Sequence, residues 1–269
     1  ARGGAGTSTT RTPDTTMHNY TRGPIAAGGA FTGDFGIAPG APVDQVPAFI
    51  ETDREVMAAR PGMRQKHVPI TVDEAGRPFC GGRYLFDTWE NAEDYRRWVT
   101  EEFVVDGVPF PERPLFVDPV FLSWRVAGAH DFRPVEEHRA VRFERWALAP
   151  EVTEDQLTAL WDRVRAAADR RGLASAWLLW SDERREAGLV TVAGSADSRR
   201  SAELDPELLD LLEGPDAVGK IVEQRGTGTR VFDRTGWVWT LWLPLAGAGE
   251  PPSLWPNSPP LPAPVAAEV

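Results

Sequence analysis

The order strand, helix, strand, strand, helix, strand runs through this chain twice, and that repetition restricts the fold more than any single motif does. The second copy is the easier to read. "AVRFERWAL" (140–148) is rich in β-branched and aromatic residues and predicts a strand. "TEDQLTALWDRVRAAADRRG" follows, with Thr153 as N-cap and Gln156 three residues on as its capping-box partner. Leu157, Leu160, Trp161, Val164 and Ala168 make the apolar stripe of an amphipathic helix, which Gly172 ends. "LASAWLLW" and "AGLVTVAG", parted by the charged "SDERRE", predict a hairpin. "DPELLDLLEG" predicts a second helix, with Asp205 as cap, Pro206 at its first position and Gly214 as its stop. "GWVWTLWLP" (236–244) closes the copy as a strand.

The first half repeats the order in different letters. "AGGAFTGDFGI" (27–37) predicts a strand loosened by glycine, and "VDQVPAFIETDREVMAARPG" a helix with Pro47 in or near its first turn. "MRQKHVPITVD" and "PFCGGRYLFD" predict a hairpin around "EAGR". "TWENAEDYRRWVTEEF" predicts a helix capped by Thr88, with Ala92, Tyr95, Val99 and Phe103 on one face, and "VFLSWRVAG" the last strand. Each half is a ferredoxin-like βαββαβ unit. The expected fold is α+β, two such units in tandem with their sheets packed face to face into a barrel. The expected division is a disordered leader at 1–26, a first unit at 27–130, a linker at 131–139, a second unit at 140–245 and a Pro-rich tail at 246–269.

Charge narrows the partners. Acidic residues outnumber basic ones, 40 to 29, for a net charge of −11. Without a basic block such a chain repels phosphate backbones and anionic lipid, which argues against nucleic acid and membrane as partners. No apolar run approaches the roughly 20 residues that span a bilayer, and the first residues have no apolar signal-peptide region. The single cysteine, Cys80, excludes an intramolecular disulfide and a Cys-rich metal site, so a cytoplasmic, reducing location is expected. No Gly-x-Gly-x-x-Gly opens a helix after a strand, and no P-loop, His-Glu-x-x-His or Gly-x-Ser-x-Gly occurs.

The stretch "GGRYLFDTWENAEDYRRWV" (81–99) is similar to the strand-and-helix signature of the antibiotic-biosynthesis monooxygenase group. With the tandem organisation, the chain resembles the dimeric α/β-barrel superfamily fused into one polypeptide. That superfamily also holds polyketide cyclases, isomerases and haem enzymes. Length and duplication look most like the oxygenases that open the B ring of angucyclines in jadomycin-, gilvocarcin- and kinamycin-type pathways. The resemblance implies an aromatic polyketide substrate, O₂, and reduced flavin (FADH₂ or FMNH₂) as a diffusible co-substrate, supplied by a flavin reductase. A cyclase or isomerase, or a non-catalytic binding protein for an aromatic metabolite, are the competing readings. The tandem copy already supplies a barrel, so a homodimer would use another surface.

The residues offer candidates for such chemistry. In "MRQKHVPITV", Val68, Ile70 and Val72 alternate onto a face expected under helices, leaving Gln65, His67 and Thr71 on the other. His67 is the candidate base for a phenol; the alternative is a hydrogen-bonded structural histidine. Arg83 and Arg125 lie on strands that read as buried, and each needs a carboxylate such as Asp34 or Asp118, or a substrate oxygen. Arg125 is the candidate for steadying developing negative charge, and Arg83 and Tyr84 are candidate substrate contacts. Trp237, Trp239 and Trp242 crowd the last strand, three of eleven tryptophans. A core favours Leu, Ile and Val because Trp needs a partner for its N–H. Trp124, Trp177 and Trp239 are therefore candidate pocket walls for a flat ligand. His130 and His138 flank the linker, where solvated chain outweighs metal ligation, and no metal is expected.

Overall fold

A computed structural model describes residues 23–41, 60–72, 77–133, 139–194, 210, 212–224 and 228–242. Its long strands are β1 (Gly29–Ile37), β2 (Met63–Val72), β3 (Pro78–Phe86), β4 (Phe116–Asp131), β5 (Arg139–Leu148), β6 (Ser175–Ser181), β7 (Glu186–Gly194) and β8 (Gly228–Trp242). The helices are α1 (Trp89–Arg97), α2 (Glu154–Arg171) and α3 (Gly219–Gln224).

Neighbouring strands run β4-β1-β3-β2-β8-β5-β7-β6, and β6 then pairs back onto β4. Every pairing is antiparallel, so these strands close a barrel with no free edge. Each half contributes four strands in the order fourth-first-third-second, the ferredoxin-like arrangement expected from sequence. Two seams join the halves. At one, Ile70 lies opposite Trp237 and His67 opposite Leu241; at the other, Arg125 lies opposite Trp180 and Asp131 opposite Ser175.

Alternation along each strand sorts side chains between the barrel interior and the helix-covered outside. The outer core of the first half gathers Phe31, Val68, Ile70, Tyr84, Tyr95 and Phe110. That of the second gathers Trp146, Leu157, Leu160, Val164, Leu178 and Leu189 against α2 and α3. Trp124, Phe143, Trp177, Leu85, Leu179 and Val190 fill the barrel.

The second helix signal is met in detail. Thr153 Oγ1 accepts from the Gln156 N–H, Gln156 Oε1 accepts from the Thr153 N–H, and Gly172 takes the left-handed conformation at φ 86°. Thr88 caps α1 by accepting from the Asn91 N–H. Past Arg97 the helix widens into a π-helical turn, Trp98–Glu102, where the Phe103 N–H reaches the Trp98 carbonyl at 2.8 Å.

The helix expected from Val43 onward lies almost wholly outside the described residues, as do the leader, most of the linker and the tail. Of the helix expected at 205–214, only 210 and 212–214 are described, and the Gly214 N–H bonds to the Asp210 carbonyl. Helix α3 was not legible in the sequence. Among the described residues, no helix is long and apolar enough to cross a membrane.

Candidate active site

Between the first half's sheet and α1 lies a cleft walled by aromatic rings: Phe31 and Phe35 from β1, Tyr84 from β3, Tyr95 from α1, Phe110 and Phe121. The Phe31 ring stacks with Tyr84 at 5.3 Å and with Phe121 at 5.9 Å, and meets Tyr95 edge-on at 4.8 Å. The enclosed space of the cleft is about 40 Å³. A single water needs on the order of 10–15 Å³, so the enclosed space matches a few waters.

Glycines set its floor. A Cβ on Gly82 would stand 2.8 Å from the Tyr84 ring, so only glycine lets that ring lie flat along the strand. A Cβ on Gly81 would stand 2.5 Å from the Gly33 carbonyl oxygen on the barrel side. The Gly-Gly pair of the "CGGRY" stretch thus serves both faces of one strand.

Among the described residues that line this apolar wall, one is charged. Lys66, only 5% exposed, puts its ammonium 5.0 Å from the Tyr84 ring centroid. Beside it Cys80 is buried, and loss of solvation pushes its thiol up to about 12. It is a neutral wall of the cleft, not a nucleophile. Sequence reading missed Lys66 as a site residue, though the signal was present. The alternation that sends Val68 and Ile70 outward and His67 inward also sends Lys66 outward.

His67 follows the expected alternation, and this takes it away from the cleft. It is 1% exposed inside the barrel, with Nε2 3.5 Å from Gln65 Oε1 and its ring 5.3 Å from that of Trp177. Gln65 Nε2 in turn donates to Asp131 Oδ2 at 2.5 Å. The sheet separates this imidazole from any ligand among the cleft aromatics.

Trp124 and Trp177 are fully buried in the barrel, and their N–H groups are used internally. Trp124 Nε1 donates to Thr32 Oγ1 at 2.9 Å, and Trp177 Nε1 to Ser175 Oγ at 3.0 Å. Neither lines the cleft. Trp239 belongs to β8, but its side chain lies outside the described residues.

Arg83 is buried and internally paired. It donates to Asp34 Oδ1 at 2.7 Å and to the carbonyls of Gly33 and Gly82 at 2.7 and 2.8 Å, tying β1 to β3. Arg125 departs from expectation: it is exposed, with its guanidinium 4.7 Å over the Trp89 ring on the helix side. The same face of β4 carries Phe121 into the cleft and Ser123 onto Glu93 of α1. Only past the start of α1 does that face run out of cover. Among the sequence-derived candidates whose side chains are described, Tyr84 alone lines the cleft.

A second, wider cavity of about 400 Å³ opens at one end of the barrel. Arg77, Arg145 and Arg234 line it with Phe79, Phe232 and Leu122. Among the described residues, no group of three or more His, Cys, Asp or Glu stands together as metal ligands would.

No protein-family model matches the chain, and no curated protein matches it. Solved structures do. An anthrone oxidase-like protein superposes over 86% of this chain and 100% of its own, with a TM-score of 0.52 at 13% identity. A candidate monooxygenase from Fusobacterium nucleatum subsp. nucleatum gives a TM-score of 0.50 over 80% of this chain and 92% of that one, at 10% identity. Another, from Lactobacillus acidophilus, gives 0.50 over 78% and 93%, at 9% identity. At such identities the likeness is one of architecture. The α+β barrel of two ferredoxin-like units is a fold this chain shares with those proteins.

Proposed function

We propose that the chain is an oxygenase acting on a phenolic ring of an aromatic polyketide, angucycline- or anthrone-like, with the cleft beside α1 as its active site. The observation that carries this is Lys66, a buried ammonium inside a wall of aromatic side chains. A phenol placed there sits next to a positive charge in poor solvent, which lowers its pKa and favours the phenolate. The phenolate and its ring-carbon carbanion form are electron-rich enough to react with O₂. Phe31, Phe121 and Tyr84 hold the ring by stacking, and Lys66 stabilises the charge that develops on its oxygen. The base role first suggested for His67 is not needed where the ammonium makes the phenol acidic. The names of the monooxygenase and anthrone oxidase-like neighbours agree with this direction, as does the antibiotic-biosynthesis motif at 81–99.

Reduced flavin enters only as a diffusible co-substrate. A cleft of this size leaves no space for an isoalloxazine beside a bound ring. Oxidative C–C cleavage is the reaction proposed for a polycyclic substrate, whose remaining rings would extend out of the cleft. A cyclase or isomerase on the same site would stabilise an enolate in the same way but consume no oxygen.

Aerobic incubation with anthrone and with dehydrorabelomycin, each with and without enzymatically reduced flavin, tests this through O₂ uptake and product mass. Uptake above the uncatalysed rate is expected, reduced roughly a hundredfold in Lys66→Met, the loss typical of removing one charge-stabilising group. A changed product without O₂ uptake would move the assignment to a cyclase or isomerase. Turnover unaffected by Lys66→Met would remove the cleft as the site.

A further inference from the structure

The cleft beside α1, in its closed form, is short of the space a phenolic ring needs. It encloses about 40 Å³, whereas a cavity that takes benzene measures roughly 150 Å³. A wall has to move before a ring can enter, and the walls are held in different ways. Phe31, Phe35, Tyr84 and Phe121 sit on strands of the closed barrel, and Tyr95 sits on α1. Phe110 sits on neither. It opens a 3₁₀ turn, Phe110–Glu112, directly after a short ribbon in which Val104 pairs with Pro109 and Val105 with Val108. That ribbon is a two-stranded sheet of its own, separate from the barrel ladder.

The local sequence makes the ribbon a unit. Asp106 and Gly107 take φ values of 53° and 80°, the two-residue Asp-Gly turn that closes a hairpin with the right twist. The Phe110 N–H donates to the Phe103 carbonyl at 2.8 Å, so the ring of Phe110 rides on the ribbon. In "VPFPERPLF" (108–116), Pro109, Pro111 and Pro114 have no N–H to give to a neighbouring strand. At one end the Phe103 N–H reaches the Trp98 carbonyl in the π-helical turn; at the other the Leu115 carbonyl accepts from the Ala38 N–H at 2.9 Å. Between these points the ribbon can tilt with its own hydrogen bonds intact. The Phe110 ring is buried against Phe103 at 5.3 Å, Phe116 at 5.1 Å and, across the cleft, Phe121 at 5.9 Å. Apolar contacts have no fixed direction, so they close the cleft without locking it.

We propose that Phe110 is the gate of the cleft. The ribbon tilts, carries the Phe110 ring away from Phe121 and admits an aromatic ring; its return shuts that ring off from water. What passes the gate rests on the reading of the cleft as a phenol site, but the gate itself does not.

Cys80 reports on the gate with no ligand present, since it lines the cleft and is the chain's single cysteine. Methyl methanethiosulfonate at pH 8 should label Phe110→Ala roughly tenfold faster than wild type, after correction for global unfolding from urea curves of both. Phe110→Leu, gentler on the fold, should show a smaller change of the same sign. Equal rates in the three proteins would overturn the proposal. Stopped-flow mixing with 2-naphthol then tests passage. A gate predicts faster association in Phe110→Ala, together with faster dissociation; a side chain that is only a wall would raise dissociation alone, and that result would also overturn it. Lys66→Met separates this inference from the one above. Loss of the bound naphtholate band in that variant, with the Phe110 effect on association retained, supports both. A Phe110 effect with no Lys66-dependent band supports the gate and removes the phenolate reading. If 2-naphthol does not bind, the phenol reading falls and the labelling rates alone decide the gate.

Discussion

At the scale of single residues, two neighbours in "RQKHV" show what a sequence can and cannot tell. Alternation was legible: Val68 and Ile70 pack outward and His67 turns inward. Which of the two faces holds the functional space was not, because that depends on what each face packs against. The inward face is filled by Trp177 and Gln65, and the outward one leaves a cleft beside Lys66. Trp124 and Trp177 teach the same point. Their indoles looked costly for a core until Thr32 and Ser175, both distant or offset in pattern, proved to accept their N–H groups. Cys80 gives a test at this scale. With its thiol pushed up to about 12 by burial, it stays protonated at neutral pH. Iodoacetamide at pH 8 should label it in urea and leave it untouched in the native protein; rapid native labelling would mean the cleft wall is open.

At the scale of elements, the capped helices were the clearest features in the sequence, since caps are local chemistry read from adjacent residues. Thr153→Ala removes the side-chain half of the capping box and should destabilise the fold by about 1 kcal/mol, measured by urea denaturation. Less legible was how α1 is held to the sheet. Glu93 accepts from Arg96 on its own helix and from Ser123 on β4. The Arg96 hydrogen bonds come first in holding its carboxyl below the ordinary value of 4.5, with Ser123 adding to them against the cost of burial. A carboxyl lowered in the folded state contributes stability fully above its unfolded value and loses it as pH falls through the folded one. Wild type should therefore lose stability more steeply than Glu93→Gln below about pH 4.5. Parallel curves for the two proteins would show that this link contributes nothing. Arg125, by contrast, was misjudged as buried. A strand can look apolar over nine residues and still run beyond the helix that covers it, and no pattern in the strand records where that cover ends.

At the scale of the whole molecule, the duplication fixes the architecture: two ferredoxin-like sheets have two open edges each, and pairing β2 with β8 and β4 with β6 removes all of them. The barrel interior is shared, with Phe143 of the second half against Trp124 of the first and Trp177 of the second beside His67 of the first. The halves should accordingly unfold together, with tryptophan fluorescence and far-UV circular dichroism giving one coincident transition in urea. Two separated transitions would mean the seams are weak. This closed barrel leaves open space in two places, outside the sheet under α1 and at the barrel's end. The central claim concerns the first of them, that Lys66 makes the cleft a place where a phenol loses its proton. Absorption spectra of bound dehydrorabelomycin at pH 7 test it most directly. Wild type should show the red-shifted phenolate band and Lys66→Met, still binding the ligand, the neutral band; the neutral band in both proteins would contradict the account.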